Sequence, residues 1–406
     1  MKSKRDVILV NLSIVFSTIV FLLACSKHEI DPNDPVKIGT TEDSVPTPSP
    51  QDSLPPIHPQ DSIPLTFDRT TVSIRGEQFF INGRPTYEGR YWQGNKIEGL
   101  LLNSRMVQGI FDDLNPDTSQ LFAYPDTHKW NADRNTDEFV ASMAEWKRNG
   151  LLAFTLNLQG GSPTGYGNSK SWKNSAFDRN GILRPAYTER LKRILDKADE
   201  LQMVVILGYF YFGQDQVLEN EAAVINAVDE TTHWILNNGY RNVVVEIANE
   251  CDGPYDHDIL RPNRIHELIE RVHNIQKDRF RLPVSTSYQG GVIPSPEVVR
   301  ASDFILLHGN GIRNPARIRD MVATVRNVDG YIPKPIVFNE DDHFNFEAQD
   351  NHLVSAVRSY SSWGYFDFRM QGEGFKSGYQ SVPVDWGINS DRKRGFFSKM
   401  KEITGY

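Results

Sequence analysis

The stretch VVVEIANECDG, residues 243–253, combines a buried-strand pattern with an abrupt polar end. Residues 243–248 are apolar except for Glu246, and the run stops at Asn249 and Glu250. Strands that are covered on both faces form near-continuous apolar runs, as in parallel sheets flanked by helices. The stretch therefore predicts a buried parallel strand that ends in an Asn-Glu pair.

Similar apolar runs recur along the chain and alternate with amphipathic helical patterns. The predicted strands are a first one near 86–92, then 151–158, 203–212, 242–249, 283–288, 304–309, 335–340 and 363–370. Eight such alternations predict an α/β fold of the (β/α)8 TIM barrel type. A short N-terminal β-hairpin is predicted from 71–75 and 78–81, followed by the turn pair Asn82-Gly83. The alternative is an open doubly wound sheet, but no glycine-rich phosphate turn follows the first predicted strand.

The N-terminal segment has the layout of a secretory signal, which we assign to residues 1–24. A basic start is followed by a mostly apolar stretch, 7–24, and then by Cys25. Leu22-Leu23-Ala24-Cys25 resembles the bacterial lipobox, which implies a lipid on Cys25 and an anchor in the membrane of the bacterial cell envelope. Ser26 favours the outer membrane. The alternative is an uncleaved membrane anchor.

Composition defines the next two segments and excludes one class of partner. Residues 25–66 are rich in proline and serine, which predicts an extended linker without a core. Residues 67–406 form one predicted domain, which contains the barrel. The net charge of -8 and the absence of long Lys/Arg runs exclude nucleic acid, which requires a basic surface.

A second strand ends in the same polar pair as the first. Residues 335–340, PIVFNE, close on Asn339 and Glu340. Functional side chains of (β/α)8 barrels lie at the C-terminal ends of the strands, so Glu250 and Glu340 are predicted to share one rim. Two carboxylates at one rim are the requirement of retaining glycoside hydrolysis. The alternative is two solvated glutamates at strand ends.

The motifs VVVEIANE (243–250) and FFINGRP (79–85) resemble those of clan A glycoside hydrolases, which include the family-five cellulases and mannanases. The resemblance implies that Glu250 is the acid/base, that Asn249 binds the sugar 2-hydroxyl and that Glu340 is the nucleophile. Cys251 departs from the proline that many family-five enzymes have at this position. The second strand of family-five enzymes usually carries an arginine near the nucleophile. The second predicted strand here has no arginine, and Arg90 or Arg369 could fill that place.

Further residues are predicted to bind substrate. Trp92, Tyr209, Tyr288 and Trp363 lie near predicted strand ends and could stack on sugar rings, although core packing is the alternative for each ring. His308 ends the sixth predicted strand and could contact a sugar or Glu340. Glu246, buried below Glu250, is predicted to form an ion pair with an arginine such as Arg90.

These observations predict a lipid-anchored enzyme that cleaves β-glycosidic bonds of a polysaccharide or oligosaccharide with retention, without a cofactor or a metal ion. One alternative is a carbohydrate-binding surface lipoprotein without catalytic activity on the same barrel. The other is a metal-dependent hydrolase that uses Asp341, Asp342 and His343, for which a solvated loop is the competing interpretation.

Overall fold

The computed structural model describes residues 69–164 and 172–406. The predicted signal (1–24), the lipidation site Cys25 and the linker (25–66) lie outside these residues. Within the described part of the chain, none of the helices combines the length and the apolar character that a membrane crossing requires.

The N-terminal hairpin is confirmed. Strand β1 (Val72–Arg75) pairs antiparallel with β2 (Gln78–Ile81), and the short β3 (Arg84–Pro85) extends this sheet. A second small hairpin joins β4 (Tyr91–Trp92) to β5 (Asn95–Lys96). The predicted first barrel strand near 86–92 is therefore wrong, because this segment is divided between a turn and the second hairpin.

Eight parallel strands form a (β/α)8 barrel, which confirms the predicted fold. Six of them are paired in the order β10-β9-β8-β7-β6-β13, and β11 pairs with β12. The backbone bridge between Val337 and Ser362 joins the second group to the first. The strands are β6 (Asn103–Arg105), β7 (Ala153–Asn157), β8 (Val204–Tyr211), β9 (Val243–Asn249), β10 (Val284–Ser285), β11 (Ile305–His308), β12 (Ile336–Glu340) and β13 (Gly364–Phe366).

A helix follows each barrel strand and covers the outside of the barrel. Several begin at an asparagine or serine whose side chain accepts a backbone N–H of the first turn, such as Asn131, Asn220 and Ser390. The helices are α1 (Ala132–Arg148), α2 (Pro185–Glu200), α3 (Glu221–Asn237), α4 (Ile265–Asn274), α5 (Pro296–Ala301), α6 (Pro315–Arg326), α7 (His352–Arg358) and α8 (Asp391–Thr404).

The alternation of strands and helices gives the barrel two distinct faces. Strands end at the upper face, whereas the helices run back and end at the lower face. Thr71 pairs with Arg241, just before β9 begins, so the N-terminal hairpin lies against the lower face. The ends of β6, β9, β11 and β12 lie together at the upper face, where the site described next is located.

Candidate active site

A turn begins at Glu250, directly after β9 ends. Glu250 has a φ of 51°, in the left-handed region that a residue with a side chain rarely adopts. Two bonds to the neighbouring Ser287 hold this turn: the Glu250 N–H donates to Ser287 Oγ at 2.9 Å, and the Cys251 N–H donates to the Ser287 carbonyl at 2.9 Å. Such strain persists only where surrounding contacts enforce it, and it is common at active sites.

Glu250 and Glu340 meet at the upper face with His308 between them. The His308 Nδ1 atom lies 3.0 Å from Glu250 Oε1 and 3.6 Å from Glu340 Oε2. One oxygen of each glutamate and one ring nitrogen of His308 lie within 4.8 Å of one another. All three side chains are buried. The structure thus brings together the two carboxylates and the histidine that the sequence singled out.

Arg105, at the end of β6, connects Glu340 to Asn249, the residue before Glu250. Its Nε lies 2.8 Å from Glu340 Oε2, and its Nη2 donates to Asn249 Oδ1 at 2.7 Å. The guanidinium is almost completely buried. A buried charge of this kind is stable only when it is paired, and Glu340 supplies the opposite charge.

Two asparagines complete the surroundings of the carboxylates. Asn310 Nδ2 donates to Glu340 Oε1 at 3.0 Å, so both oxygens of this carboxylate have a partner. Below them, Asn339 Nδ2 donates to Glu246 Oε2 at 3.3 Å. The negative charge of Glu246 also acts on Arg105, which corrects the predicted pairing of Glu246 with Arg90.

Burial raises the pKa of the Glu340 carboxyl to about 7. The positive charges of Arg105 and His308 lower this pKa, whereas the negative charges of Glu250 and Glu246 raise it. Burial also disfavours the charged form of His308, but the two glutamates beside it raise its pKa overall. Burial therefore makes the Glu340 carboxyl hold a proton more readily than an exposed carboxyl would.

The raised pKa of Glu340 predicts a pH-dependent effect of Glu340→Gln on stability. The folded parent protein keeps a proton that the unfolded chain releases near pH 4.5, so its free energy of unfolding falls as pH rises from about 4.5 to about 7. Glutamine carries no such proton. The variant should therefore gain up to about 3 kcal/mol relative to the parent across this window. Urea denaturation at several pH values measures the difference, with the exposed substitution Glu88→Gln as control. A difference that is constant with pH would contradict the shift.

Arg90 and Trp92, predicted to bind substrate, lie at the opposite face of the barrel. The Arg90 guanidinium donates to the carbonyls of Ile403 and Glu402 at the end of α8, at 2.8 and 2.7 Å. The Trp92 indole donates to Glu402 Oε1 at 3.1 Å. Because α8 ends at the lower face, both predictions are wrong. Arg369 does not reach Glu340 either: its Nε donates to the Gly374 carbonyl at 3.1 Å.

Two of the predicted stacking rings belong to the packing between barrel and helices. The Tyr209 hydroxyl lies 3.2 Å from Thr232 Oγ1 on α3, and the ring is fully buried. The Trp363 ring packs against Phe396 of α8 and is also fully buried. Neither ring can stack on a sugar, so these predictions are wrong. Tyr288 is buried beside Cys251, next to the site, and its role in substrate binding stays a prediction.

Asp341 is fully buried and does not lie in a solvated loop. Its carboxylate contacts His343 Nδ1 at 2.9 Å, His352 Nδ1 at 2.8 Å and the Trp363 indole N–H at 2.8 Å. The two imidazole rings are stacked with centroids 3.7 Å apart. Imidazoles bound to one tetrahedral zinc ion diverge, with centroids about 5 Å apart. The stacked arrangement therefore favours hydrogen bonding to one carboxylate over metal coordination.

Sequence reasoning missed Arg105 and Asn310. The strand that carries Arg105 has only three residues, Asn103–Arg105, and all are polar, so it produces no apolar run. Asn310 follows His308 by two residues, and its position after a predicted strand was the available signal. Both residues acquire their contacts only when distant strand ends come together in the closed barrel.

Comparisons with known proteins identify the fold. No protein-family model and no curated protein matches this sequence. The endo-1,4-beta-mannanase from Rhizomucor miehei is 12% identical, with a TM-score of 0.50, over 82% of this chain and 99% of that chain. A family 5 mannosidase from the same organism is 13% identical, with a TM-score of 0.49, over 83% and 97%.

Two structures from Bacteroides vulgatus are also similar to this chain. A glycoside hydrolase family 5 protein is 12% identical, with a TM-score of 0.47, over 83% of this chain and 71% of that chain. The second Bacteroides vulgatus protein is longer, and this chain covers only 59% of its length. Likeness at such low identity shows the fold alone: this chain shares the barrel architecture of the Rhizomucor miehei mannanase.

Proposed function

We propose that this protein is a retaining glycoside hydrolase that cleaves β-glycosidic bonds. The observation that carries the proposal is the placement of Glu250 and Glu340 with oxygens within 4.8 Å of each other. Retaining enzymes hold their two carboxyl groups roughly 5–5.5 Å apart, and inverting enzymes roughly 6.5–9.5 Å. The close pair leaves no room for a water molecule between carboxylate and sugar, which supports direct attack by a carboxylate.

Glu340 is the nucleophile in this proposal. Arg105 and Asn310 each hold one of its oxygens: these contacts stabilise the ionised carboxylate against the burial that raises its pKa, and they fix its direction. In the first step one Glu340 oxygen bonds to the anomeric carbon as the bond to the leaving oxygen breaks. The product of this step is a glycosyl ester on Glu340.

Glu250 is the acid and then the base. It donates its proton to the leaving oxygen in the first step, and in the second it takes a proton from the water that cleaves the ester. His308, 3.0 Å from Glu250, can exchange that proton with it. Asn249, held by Arg105, is placed beside the same rim, where its amide can bind a sugar hydroxyl.

The paired carboxylates also bear on the competing functions. A carbohydrate-binding protein without catalytic activity does not need two buried glutamates with a buried arginine, which are costly to desolvate. The metal-dependent alternative would use Asp341, where His343 and His352 converge, but both imidazoles already contact this carboxylate, so a metal ion would have to replace these bonds. We extend the proposal to a poly- or oligosaccharide substrate and to a lipid anchor at Cys25 that holds the enzyme on the bacterial outer membrane.

The stereochemistry of the first product tests the proposal. Residues 67–406, incubated with a panel of aryl β-glycosides and β-linked oligosaccharides, should release sugar whose anomeric proton signal is first that of the β-anomer. This signal should appear in the NMR spectrum before mutarotation produces the α-anomer. Initial release of the α-anomer would show inversion and reject the mechanism. Binding of glycans without any released sugar would favour the non-catalytic alternative.

A further inference from the structure

A fully buried carboxylate, Asp341, directly follows the proposed nucleophile and takes no part in the steps above. Three donors surround it: the imidazoles of His343 and His352 and the indole of Trp363. These residues come from the segment after β12, from the first turn of α7 and from the position just before β13. One side chain therefore connects three separate elements behind the active site.

The backbone of Asp341 adds a connection to the neighbouring strand. The Phe366 N–H donates to the Asp341 carbonyl at 3.0 Å, and Asp341 forms a parallel bridge with Tyr365. The side chain and the main chain of Asp341 thus both join β12 to β13. The position of Glu340, one residue earlier, depends on where these two strands end.

Gly309 connects Asp341 to the end of β11. A Cβ atom at this position would overlap the Asp341 carboxylate, so the carboxylate occupies the space that a side chain would need. The Gly309 N–H donates to the Glu340 carbonyl at 2.8 Å. His308 and Asn310, which contact the two catalytic carboxylates, lie on either side of Gly309.

Asp341 has a counter-charge within this cluster. Burial disfavours the charged form of His343, but its bonds to Asp341 and Asp342 raise its pKa to about 9. An imidazolium therefore faces the Asp341 carboxylate at neutral pH. Burying this carboxylate is tolerated because it has a counter-charge and its oxygens accept several hydrogen bonds.

We propose that Asp341 is a positioning residue, which locks the ends of β11, β12 and β13 together and so fixes Glu340 against His308 and Asn310. This inference rests on the proposed function of Glu340. Asp341 does not touch the substrate. It acts by keeping the nucleophile within the narrow range of positions from which it can attack the anomeric carbon.

The test measures the first chemical step separately from binding. A 2-deoxy-2-fluoro-β-glycosyl fluoride, matched to a sugar that the parent hydrolyses, should trap the glycosyl ester. Asp341→Asn should lower the inactivation rate constant about 100-fold, because a displacement of roughly 1 Å has such an effect. The dissociation constant of the inactivator should stay close to that of the parent. Mass spectrometry follows only the enzyme molecules that form the ester, so misfolded protein does not affect the inactivation rate constant.

Asp303→Asn is the matched control. Asp303 is also a largely buried carboxylate that binds a histidine, with His273 Nε2 at 3.0 Å, but it lies before β11 at the lower face. The control should lose stability and keep the parent's inactivation rate constant. Equal rate constants for Asp341→Asn and Asp303→Asn would overturn the inference. If Asp341→Asn does not fold, Trp363→Phe removes one donor to Asp341 and leaves a smaller aromatic ring in its place, and it should slow inactivation about tenfold.

Hydrogen exchange keeps this inference separate from the proposed function. If the parent neither hydrolyses nor binds any glycoside, the proposed function has failed. The role of Asp341 in locking the strand ends can still be measured. Asp341→Asn should speed amide exchange at Gly309 and Phe366, whose N–H groups bond to Glu340 and Asp341. Asp303→Asn should not. Unchanged exchange at both amides would overturn the locking role.

Discussion

Glu340→Gly should lose essentially all hydrolysis and recover activity with azide. Removal of the nucleophile should lower kcat by about 10⁵-fold, as for other residues that form the covalent intermediate. The vacated space next to Arg105 and Asn310 can admit a small anion. Azide should then attack the anomeric carbon from the same side as Glu340 and yield the α-glycosyl azide from a β-glycoside, which NMR identifies.

Glu250→Ala provides the opposite result in the same assay. The glycosyl ester still forms from a substrate whose leaving group needs no proton, such as a dinitrophenyl glycoside. Azide should then cleave the ester from the side of Glu250 and produce the β-glycosyl azide. The two variants should thus produce opposite anomers. If Glu340→Gly produced the β-glycosyl azide, or showed no rescue with an activated substrate, Glu340 would not be the nucleophile.

Arg105→Met should be the most damaging change among residues that do not react. It leaves Glu340 buried without its counter-charge and frees Asn249. We expect a loss of about 3–5 kcal/mol in the free energy of unfolding and of about 10³-fold in kcat/KM. Because Arg105 lowers the pKa of Glu340, the acidic limb of the remaining activity should move to higher pH.

Arg90→Met is the matched control for this variant. Arg90 binds the last carbonyls of α8 at the lower face, so its loss should cost about 1 kcal/mol of stability. The pH profile and kcat/KM should stay as in the parent. Denaturation curves and pH–rate profiles of both variants decide the matter. A shifted pH profile in Arg90→Met, or an unshifted one in Arg105→Met, would contradict the placement of Arg105 as the partner of Glu340.

The positions of Arg90 and Arg105 show why a sequence cannot identify every site residue. Arg90 lies within the segment 86–92 that was predicted as the first barrel strand, and it is at the lower face because that segment is divided between a turn and a hairpin. Arg105 lies in a strand of three polar residues. Their different positions follow from which segment pairs with β7 and β13, and that pairing depends on closure of the barrel.

The aromatic residues illustrate the same limit. Tyr209 lies near the end of a strand, and Trp363 just before the start of one, so both were candidates for stacking on a sugar. The side chains point outward to α3 and α8, where burial of apolar rings stabilises the packing of helices on the barrel. The direction of a ring near a strand end depends on local twist, which a single sequence does not specify.

The sequence by itself determined the (β/α)8 barrel and the two glutamates at its upper face, because periodic apolar runs and polar strand ends are local patterns. Only the tertiary structure decided which arginine pairs with Glu340, that Asn310 holds its second oxygen and that Asp341 is buried among His343, His352 and Trp363. These contacts join residues far apart in the chain. Charges in a buried site find their partners through three-dimensional proximity, which arises only when the strands close into a barrel.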